Sequence, residues 1–202
     1  MILEKILKSI ECTAVSGSTD VEIGSLTFDS RTCTAGSLFI AVCGTEADGH
    51  RFIGKAVEAG ASAVIYQEGC FTAPDNAATY VGVKDSRLAL ALAADNFYDH
   101  PSGKLNLVGI TGTNGKTTTV TLLYNLFTNM GWSCGLISTI ANYVDGVKIP
   151  TEHTTPDPVS LNRLLARMVS KGCSYCFMEV SSHSIDQERI AGLEFKVAIF
   201  SN

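Results

Sequence analysis

Short apolar runs and amphipathic stretches alternate along the 202 residues of this chain. Apolar runs at 37–42, 63–66 and 107–110 are typical of buried strands. Between such runs lie stretches with the helical period, for instance 161–169, where leucine, methionine and valine recur every three or four positions. This alternation predicts the α/β class, with strands and helices packed in layers around mostly parallel sheets.

The first 103 residues predict a small α/β domain of their own. After an amphipathic helical start, the expected strands are 21–23, 37–42, 63–66 and 79–83, and the expected helices are 48–60 and 86–98. The segment His-Pro-Ser-Gly-Lys at 100–104 then breaks the helical pattern. We therefore predict a domain boundary after residue 103, with a second domain at 104–202.

The second domain predicts the first part of a doubly wound, mostly parallel sheet. Its expected elements are strands at 107–110, 133–138, 175–180 and 195–200, a hairpin around Asp145-Gly146, and helices at 116–130 and 158–170. Asp157 is expected to cap the second helix, with Pro158 at its first position. Because 197–200 has the pattern of a buried strand without a covering helix after it, we expect the chain to be a piece of a longer protein.

The strand at 107–110 leads into a glycine-rich turn, which holds the main chemical signal. Gly112 and Gly115 allow backbone N–H groups to approach an anion closely. Lys116 adds positive charge, and Thr117 supplies a hydroxyl of the kind that ligates a nucleotide-bound magnesium ion. The predicted phosphate-binding residues are Gly112, Thr113, Asn114, Gly115, Lys116, Thr117 and Thr118. The general phosphate-loop pattern has glycine where this chain has Ile110, so an ordinary strand-to-helix turn is the competing interpretation.

Two polar clusters follow later strands. Glu179 and His183 stand at the end of one strand, where ligands gather in doubly wound sheets, and should face the same crevice as Lys116 and Thr117. Both residues are plausible magnesium ligands. In the alternative interpretation Glu179 is a structural ion-pair partner of Lys116 and His183 is an ordinary loop residue. Spacing alone does not separate these alternatives. The pair Gln187 and Arg189 suits a substrate carboxylate or phosphate. A solvated loop would show the same residue types, so both interpretations stay open.

Composition excludes several functional classes. With 46% hydrophobic and 17% charged residues the chain is globular. Its net charge of −5 offers no basic footprint for nucleic acid or an anionic membrane. The N-terminus lacks the pattern of a signal peptide, and the longest apolar run, 88–94, is too short to cross a bilayer. The seven cysteines predict reduced, packed thiols, so we expect a cytoplasmic protein.

These motifs together resemble the Mur ligases. The resemblance rests on Gly-Thr-Asn-Gly-Lys-Thr-Thr at 112–118, Thr-Thr-Pro-Asp at 154–157 and Met-Glu-Val-Ser-Ser-His at 178–183 with Gln187 and Arg189. In the first domain, Asp-Ser-Arg at 29–31 and Ala-Asp-Gly-His-Arg-Phe-Ile at 47–53 resemble the family's uridine-nucleotide domain. The resemblance covers the whole chain. It also accounts for Ile110, since the family's loop carries an apolar residue at that position.

The resemblance implies an ATP- and Mg²⁺-dependent ligase of peptidoglycan precursor synthesis. ATP would phosphorylate the D-glutamate carboxylate of UDP-N-acetylmuramoyl-L-alanyl-D-glutamate, and the amine of a third amino acid would attack the acyl phosphate. Lys116, Glu179 and His183 would be catalytic, with Thr117, Glu179 and His183 as metal ligands. The nucleotide-sugar substrate would contact Phe28, Ser30, Thr45, Glu46, Ala47, Thr154, Thr155, Ser181, Gln187 and Arg189.

The resemblance also implies what 202 residues leave out. The family's carbamylated lysine, adenine pocket and amino-acid-binding domain would follow residue 202, so we expect no ligation by this chain alone. Meso-diaminopimelate and L-lysine both remain candidates for the added amino acid, and a monomer is expected. A folyl-polyglutamate synthetase-like ligase, a regulatory nucleotide-binding module and a phosphoryl-transfer kinase remain the alternatives.

Overall fold

The computed structural model describes residues 1–44, 47–74, 78–151 and 154–202 and divides the chain into two compact units, Met1–Phe97 and Tyr98–Asn202. The division falls a few residues before the boundary expected after residue 103. Ser102 shows why, because this buried residue accepts a hydrogen bond from the backbone N–H of Glu194 at 3.0 Å. The Pro101–Lys104 turn therefore packs within the second unit.

The first unit is a five-stranded sheet with helices. Its elements are α1 (Leu3–Ile6), β1 (Cys12–Ser16), β2 (Ser25–Thr27), β3 (Ser37–Ile40), α2 (Ile53–Glu58), β4 (Ala61–Gln67), β5 (Thr79–Val83) and α3 (Ser86–Phe97), with 3₁₀ turns at Ser30–Thr32 and Gly49–Phe52. The strand order is β1-β5-β4-β3-β2, and every neighbouring pair is parallel except β1 with β5. Phe39, Val64 and Tyr80 form one apolar face of this sheet, which packs with Ile53 and Ala56.

Two strands of this unit differ from the sequence-based expectation. The predicted strand at 21–23 is wrong, because only an isolated bridge joins Glu22 to Ile2 and β2 lies just after it. The sequence pattern also missed β1, whose five residues are all exposed. An edge strand with no buried side chains does not need the alternation of apolar residues that a sequence-based strand prediction relies on.

The second unit has a six-stranded sheet. Its elements are β6 (Asn106–Gly112), α4 (Lys116–Asn129), β7 (Cys134–Ile137), β8 (Asn142–Val144), β9 (Val147–Ile149), α5 (Pro158–Ser170), β10 (Tyr175–Glu179), α6 (Ser182–Asp186) and β11 (Val197–Ser201). The strand order is β11-β6-β10-β7-β8-β9, with the first four strands parallel and the β8–β9 hairpin antiparallel. The prediction of an α/β chain with a mostly parallel second sheet is confirmed.

Helices cover both faces of this sheet because alternate strand residues point to opposite sides. Leu107 and Met178 belong to a core cluster with Leu165 of α5, whereas Phe177 belongs to the cluster with Tyr124 of α4. From β6 the chain proceeds to β7, and from β10 it proceeds to β11 on the other side of β6. The carboxyl ends of β6 and β10 therefore flank a topological switch point, where doubly wound sheets bind ligands.

Two burial predictions in this unit are wrong. The helical period predicts one buried stripe on α4, formed by Val120, Leu123, Tyr124, Phe127 and Met130. Val120 and Tyr124 are buried as expected, but 63% of Met130 is exposed. The strand at 197–200 is parallel but not buried, with Phe200 81% exposed. It lies at the sheet edge, and no described element packs over its outer side. Within the described ranges, no helix combines the length and apolarity that a bilayer span requires.

Candidate functional site

The glycine loop, residues 112–118, joins the carboxyl end of β6 to the amino end of α4. Gly115 precedes the first turn of α4 with φ +80°, a conformation that residues with a Cβ seldom adopt. No side chain caps this helix end, and Thr113 and Asn114 are exposed. The N–H groups of the first turn, which lack partners within the helix, are therefore available to an anion.

The Lys116 ammonium folds back over this loop. Its Nζ donates a hydrogen bond to the carbonyl of Gly112 at 2.6 Å and a longer one to that of Thr113 at 3.4 Å. Lys116 and Glu179 both lie in the described part of the chain, and no ion pair joins them. The alternative in which Glu179 is a structural ion-pair partner of Lys116 is therefore wrong.

Gly112 is in close contact with β11. Its φ is +137°, and a Cβ built on it would lie 1.7 Å from the carbonyl oxygen of Ser201. The Ser201 hydroxyl donates to the carbonyl of Asn114 at 2.6 Å, and the Asn114 N–H donates to the carbonyl of Asn202 at 3.0 Å. The glycine loop is thus braced by the strand beside it, and only a residue without a Cβ fits at 112.

Glu179 ends β10 beside the glycine loop and is 1% exposed. Its Oε2 accepts a hydrogen bond from the Thr117 hydroxyl at 3.0 Å. Its Oε1 accepts one from the Thr139 N–H at 2.8 Å, and the Thr139 hydroxyl lies 3.2 Å from Oε2. The structure therefore brings Thr117 and Glu179 together, with a buried carboxylate that only neutral donors contact.

A second network extends from the same strand end. The buried Thr155 donates its hydroxyl to the carbonyl of Glu179 at 2.9 Å and accepts the N–H of Ser181 at 3.2 Å. Arg189 donates to the carbonyl of Thr155 at 2.9 Å and to the Gln187 Oε1 at 3.0 and 2.7 Å. These residues, predicted from separate motifs, form one connected set at the carboxyl end of β10.

Two predicted residues lie at the rim of this set. Thr154 is joined through its hydroxyl to that of Thr139 at 3.1 Å. His183 is exposed on α6 and makes no contact with Glu179 within hydrogen-bonding distance. Spacing alone placed His183 near Glu179, but the helical turn that begins at Ser182 carries it toward solvent.

Sequence reasoning missed Thr139 and Ser201. Thr139 lies two residues after the end of β7, at the same sheet edge as Glu179. The rule that placed Glu179 at a strand end applies to this position as well. Ser201 ends β11 and contacts the glycine loop, a pairing that no local pattern encodes.

Replacement of Thr155 by valine tests the second network. Thr155→Val keeps the shape but leaves the Glu179 carbonyl and the Ser181 N–H without their buried partner. We expect the second unit to lose about 2 kcal/mol of unfolding free energy. Urea unfolding followed by fluorescence of Trp132, the single tryptophan, measures this change.

Thr119→Val is the matched control, since Thr119 lies in α4 without a described side-chain hydrogen bond. We expect a change within about 0.5 kcal/mol for this control. Equal effects of the two substitutions would show that the Thr155 hydroxyl contributes nothing specific.

The described members of the predicted uridine-nucleotide set, Phe28, Ser30 and Ala47, lie in two separate segments of the first unit. Phe28 is 41% exposed, and Ser30 begins the 3₁₀ turn that Asp29 caps. Asp29 also holds the Arg31 guanidinium through both carboxylate oxygens, and these hydrogen bonds lower the pKa of the Asp29 carboxyl. Ala47 is exposed and its carbonyl accepts the N–H of Gly44 at 3.1 Å. Thr45 and Glu46 lie outside the described residues.

The turn after residue 47 carries a buried histidine. His50 Nε2 accepts the N–H of Gln67 at 2.8 Å, so the ring proton is on Nδ1. Nδ1 lies 2.6 Å from an oxygen of Asp48 and donates to it. This hydrogen bond is the main reason that the pKa of the Asp48 carboxyl is lowered.

The lowered pKa predicts an acid sensitivity of the first unit. A carboxyl whose folded pKa is below its unfolded value of about 3.9 contributes stability that is complete above that pH and is lost as pH falls through the folded pKa. We expect Asp48→Asn to reduce the stability loss below about pH 4. Hydrogen exchange of the β4 amides, corrected for intrinsic exchange rates, measures the stability of the first unit as a function of pH. Glu58→Gln on the exposed surface is the control, and an unchanged acid profile in Asp48→Asn would contradict the prediction.

Two family models match the chain. The Mur ligase middle domain matches residues 110–202, and the model described as the Mur ligase family, catalytic domain, matches residues 22–98. The UDP-N-acetylmuramoyl-L-alanyl-D-glutamate--2,6-diaminopimelate ligase of Bacteroides fragilis is 54% identical over 202 residues, which are all of this chain and 41% of that relative. The chain therefore spans about two fifths of this relative's length.

Solved structures agree with these matches. A structure of a UDP-N-acetylmuramoyl-L-alanyl-D-glutamate--2,6-diaminopimelate ligase superposes with a TM-score of 0.80 at 26% identity, covering 100% of this chain and 40% of that one. A MurF ligase from Thermotoga maritima in complex with ADP superposes with a TM-score of 0.52 at 28% identity, over 78% of this chain and 32% of that one. The chain belongs to the Mur ligase family.

Proposed function

We propose that the protein acts as an ATP-dependent ligase of peptidoglycan precursor synthesis. In this reaction it adds 2,6-diaminopimelate to UDP-N-acetylmuramoyl-L-alanyl-D-glutamate, as the name of the Bacteroides fragilis relative states for that protein. The 202 residues supply the uridine-nucleotide and ATP-phosphate sites. We also propose that the protein is a monomer and acts in the cytoplasm.

One observation carries this proposal most directly. The Glu179 carboxylate is buried beside the start of α4, it bonds the Thr117 hydroxyl, and no described cation pairs with it. Burial of a carboxylate without a positive partner is costly unless a cation joins the site. Two oxygen donors on rigid elements fit Mg²⁺, which prefers oxygen ligands. Thr117 and Glu179 would hold the ion, with His183 on α6 as the outer candidate for a second.

The glycine loop would bind the phosphates of ATP. When bound, Mg²⁺ neutralises part of the charge on the transferring phosphoryl group. The N–H groups of the first α4 turn would hold the phosphate oxygens, and Lys116 would leave the Gly112 carbonyl to contact the phosphoryl group. Transfer to the D-glutamate carboxylate gives an acyl phosphate. The diaminopimelate amine then attacks the acyl carbon and phosphate leaves.

The connected set around Arg189 would hold the muramoyl-dipeptide portion. Three guanidinium N–H groups already bind Gln187 and Thr155, so the plane of Arg189 is held rigidly. Two of the five N–H donors of an arginine remain for a substrate carboxylate. Thr154 and Ser181 border the same region. Phe28, Ser30 and residues 45–47 would contact the uridine nucleotide in the first unit.

A ligation assay on the full-length protein tests the proposal. Labelled UDP-N-acetylmuramoyl-L-alanyl-D-glutamate and ATP are incubated with either meso-diaminopimelate or L-lysine, and tripeptide product, ADP and phosphate are quantified. We expect equal amounts of the three products with diaminopimelate and none with the 202-residue chain alone. ATP hydrolysis without product would contradict the ligase, and product with L-lysine only would contradict the amino acid.

A further inference from the structure

Two cysteines of the first unit lie in contact. The sulfur atoms of Cys43, just after β3, and Cys70, just after β4, are 3.8 Å apart. All seven cysteines lie in the described part of the chain, and among them this pair has its sulfur atoms within 4.0 Å of each other. Cys70 is exposed and Cys43 is partly exposed. A disulfide requires a sulfur separation of about 2.05 Å, so closure needs the two sulfurs to approach each other from 3.8 Å.

Polar contacts hold the backbone on both sides of the pair. The Cys43 carbonyl accepts two hydrogen bonds from the Arg87 guanidinium, at 3.2 and 3.0 Å. The Cys43 N–H donates to the Ser86 hydroxyl, which in turn donates to Gln67 Oε1 at 3.0 Å. The Gln67 carbonyl accepts the N–H of Cys70 at 3.1 Å. The two sulfurs are therefore presented to each other by one connected network rather than by chance side-chain positions.

A metal ion is a second explanation for this cluster, because His50 Nδ1 lies 3.9 Å from the Cys43 sulfur. The hydrogen bonds of His50 argue against it. Nε2 accepts the Gln67 N–H, so Nδ1 carries the ring proton and donates it to Asp48. A nitrogen that carries a proton has no lone pair for a metal, and two thiolates alone do not complete a zinc site.

We propose that Cys43 and Cys70 form a reversible disulfide by exchange with small-molecule disulfides. The exposed Cys70 thiolate attacks one sulfur of the small disulfide, which gives a mixed disulfide and releases one thiol. Cys43 then loses its proton to solvent and attacks the Cys70 sulfur, which releases the second thiol. Two protein thiols are oxidised by two electrons, and one small disulfide is reduced to two thiols. Burial raises the pKa of the Cys43 thiol, whereas Cys70 is the more exposed of the two cysteines and the one that meets the small disulfide first.

The bond would act on the residue that follows Cys43. Gly44 donates its N–H to the Ala47 carbonyl at 3.1 Å. Ala47 is among the residues proposed to contact the uridine nucleotide, and this step of the inference rests on the proposed function. A covalent link from Cys43 to Cys70 would restrict Gly44 and, through this hydrogen bond, Ala47. Oxidation is therefore expected to weaken uridine-nucleotide binding by about fivefold or more.

The test uses the 202-residue chain incubated with oxidised glutathione at neutral pH. Peptide mass mapping is expected to find a Cys43–Cys70 cross-link with loss of two hydrogens, and dithiothreitol is expected to reverse it. Cys12→Ser, at an exposed cysteine with no sulfur neighbour, should leave the cross-link in place, and Cys70→Ser should abolish it. Persistent glutathione on Cys70 without closure would overturn the proposal. Binding of one zinc ion per chain would also overturn it, if that ion protects the thiols of the wild type from oxidation but not those of Cys70→Ser.

Binding of UDP-N-acetylmuramoyl-L-alanyl-D-glutamate to the reduced and the oxidised chain separates the two proposals. Tight binding by the reduced chain and weaker binding by the oxidised chain supports both. Equal binding by the two forms overturns the proposed effect of the disulfide on uridine-nucleotide binding. No binding by the reduced chain contradicts the proposed uridine-nucleotide role, whereas the cross-link itself stands or falls on the mass mapping.

Discussion

Replacement of Lys116 by alanine in the full-length protein is expected to lower kcat of the proposed ligation by about 10³-fold, the scale found when a charge-stabilising group at a transferring phosphoryl or acyl centre is removed. The ammonium lies over the glycine loop, 2.6 Å from the Gly112 carbonyl, where phosphate oxygens would replace that carbonyl as its partner. Because the uridine nucleotide is proposed to bind the first unit, KM for the nucleotide-sugar should change little. Steady-state ligation kinetics measure both constants.

Lys171→Ala is the matched control for this substitution. Lys171 is exposed after α5, at the opposite end of the sheet from the carboxyl ends of the strands. Activity of this variant should equal that of the wild type. Loss of nucleotide-sugar binding in Lys116→Ala with an unchanged kcat would show that the two binding sites are assigned to the wrong units.

The second large effect is expected from Gly112→Ala. A Cβ at this position would lie 1.7 Å from the Ser201 carbonyl oxygen, which belongs to the backbone of β11 and cannot rotate away. Relief requires β11 or the glycine loop to move, and the backbone at φ +137° is strained for alanine as well. We expect a loss of about 3 kcal/mol or more in the unfolding free energy of the second unit. Urea unfolding followed by Trp132 fluorescence reports this unit.

Gly131→Ala separates the effect of the Ser201 contact from that of the positive φ. Gly131 has φ +90°, but nothing lies within 4 Å of the added Cβ. This variant should lose only about 1 kcal/mol, the cost of the backbone conformation alone. Similar losses in the two variants would show that the contact with Ser201 has no energetic weight. In that case the loop would not depend on β11 for its position.

Local features of the second unit were predictable because their physical causes lie within a few residues. Asp157 caps α5 through the Ser160 N–H at 2.9 Å, and Pro158 stands at the first turn, as the sequence predicted. The hairpin turns at Asp145 and Gly146, which both have positive φ. Capping, turn formation and glycine conformation need no distant partner, so a sequence pattern is sufficient to find them.

Burial was less predictable because it depends on which surfaces meet. Phe200 belongs to an apolar run typical of a buried strand, yet β11 lies at the sheet edge and Phe200 is 81% exposed. Met130 continues the apolar period of α4 but lies just after the helix, which ends at Asn129, and is exposed. In both cases the hydrophobic pattern predicted the type of element correctly. The exposure of the individual side chain depended instead on whether another element packs against it.

The sequence by itself determined the α/β class, the glycine loop with Lys116 and Thr117, and the carboxylate at the end of β10. It did so because strand alternation, helix period and turn chemistry are written into adjacent residues. Only the tertiary structure decided that Thr139 binds Glu179 across 40 residues and that Cys43 meets Cys70 across 27. Such pairs form because separate strands of one sheet end side by side, and strand order is set by packing of the whole unit rather than by any local pattern.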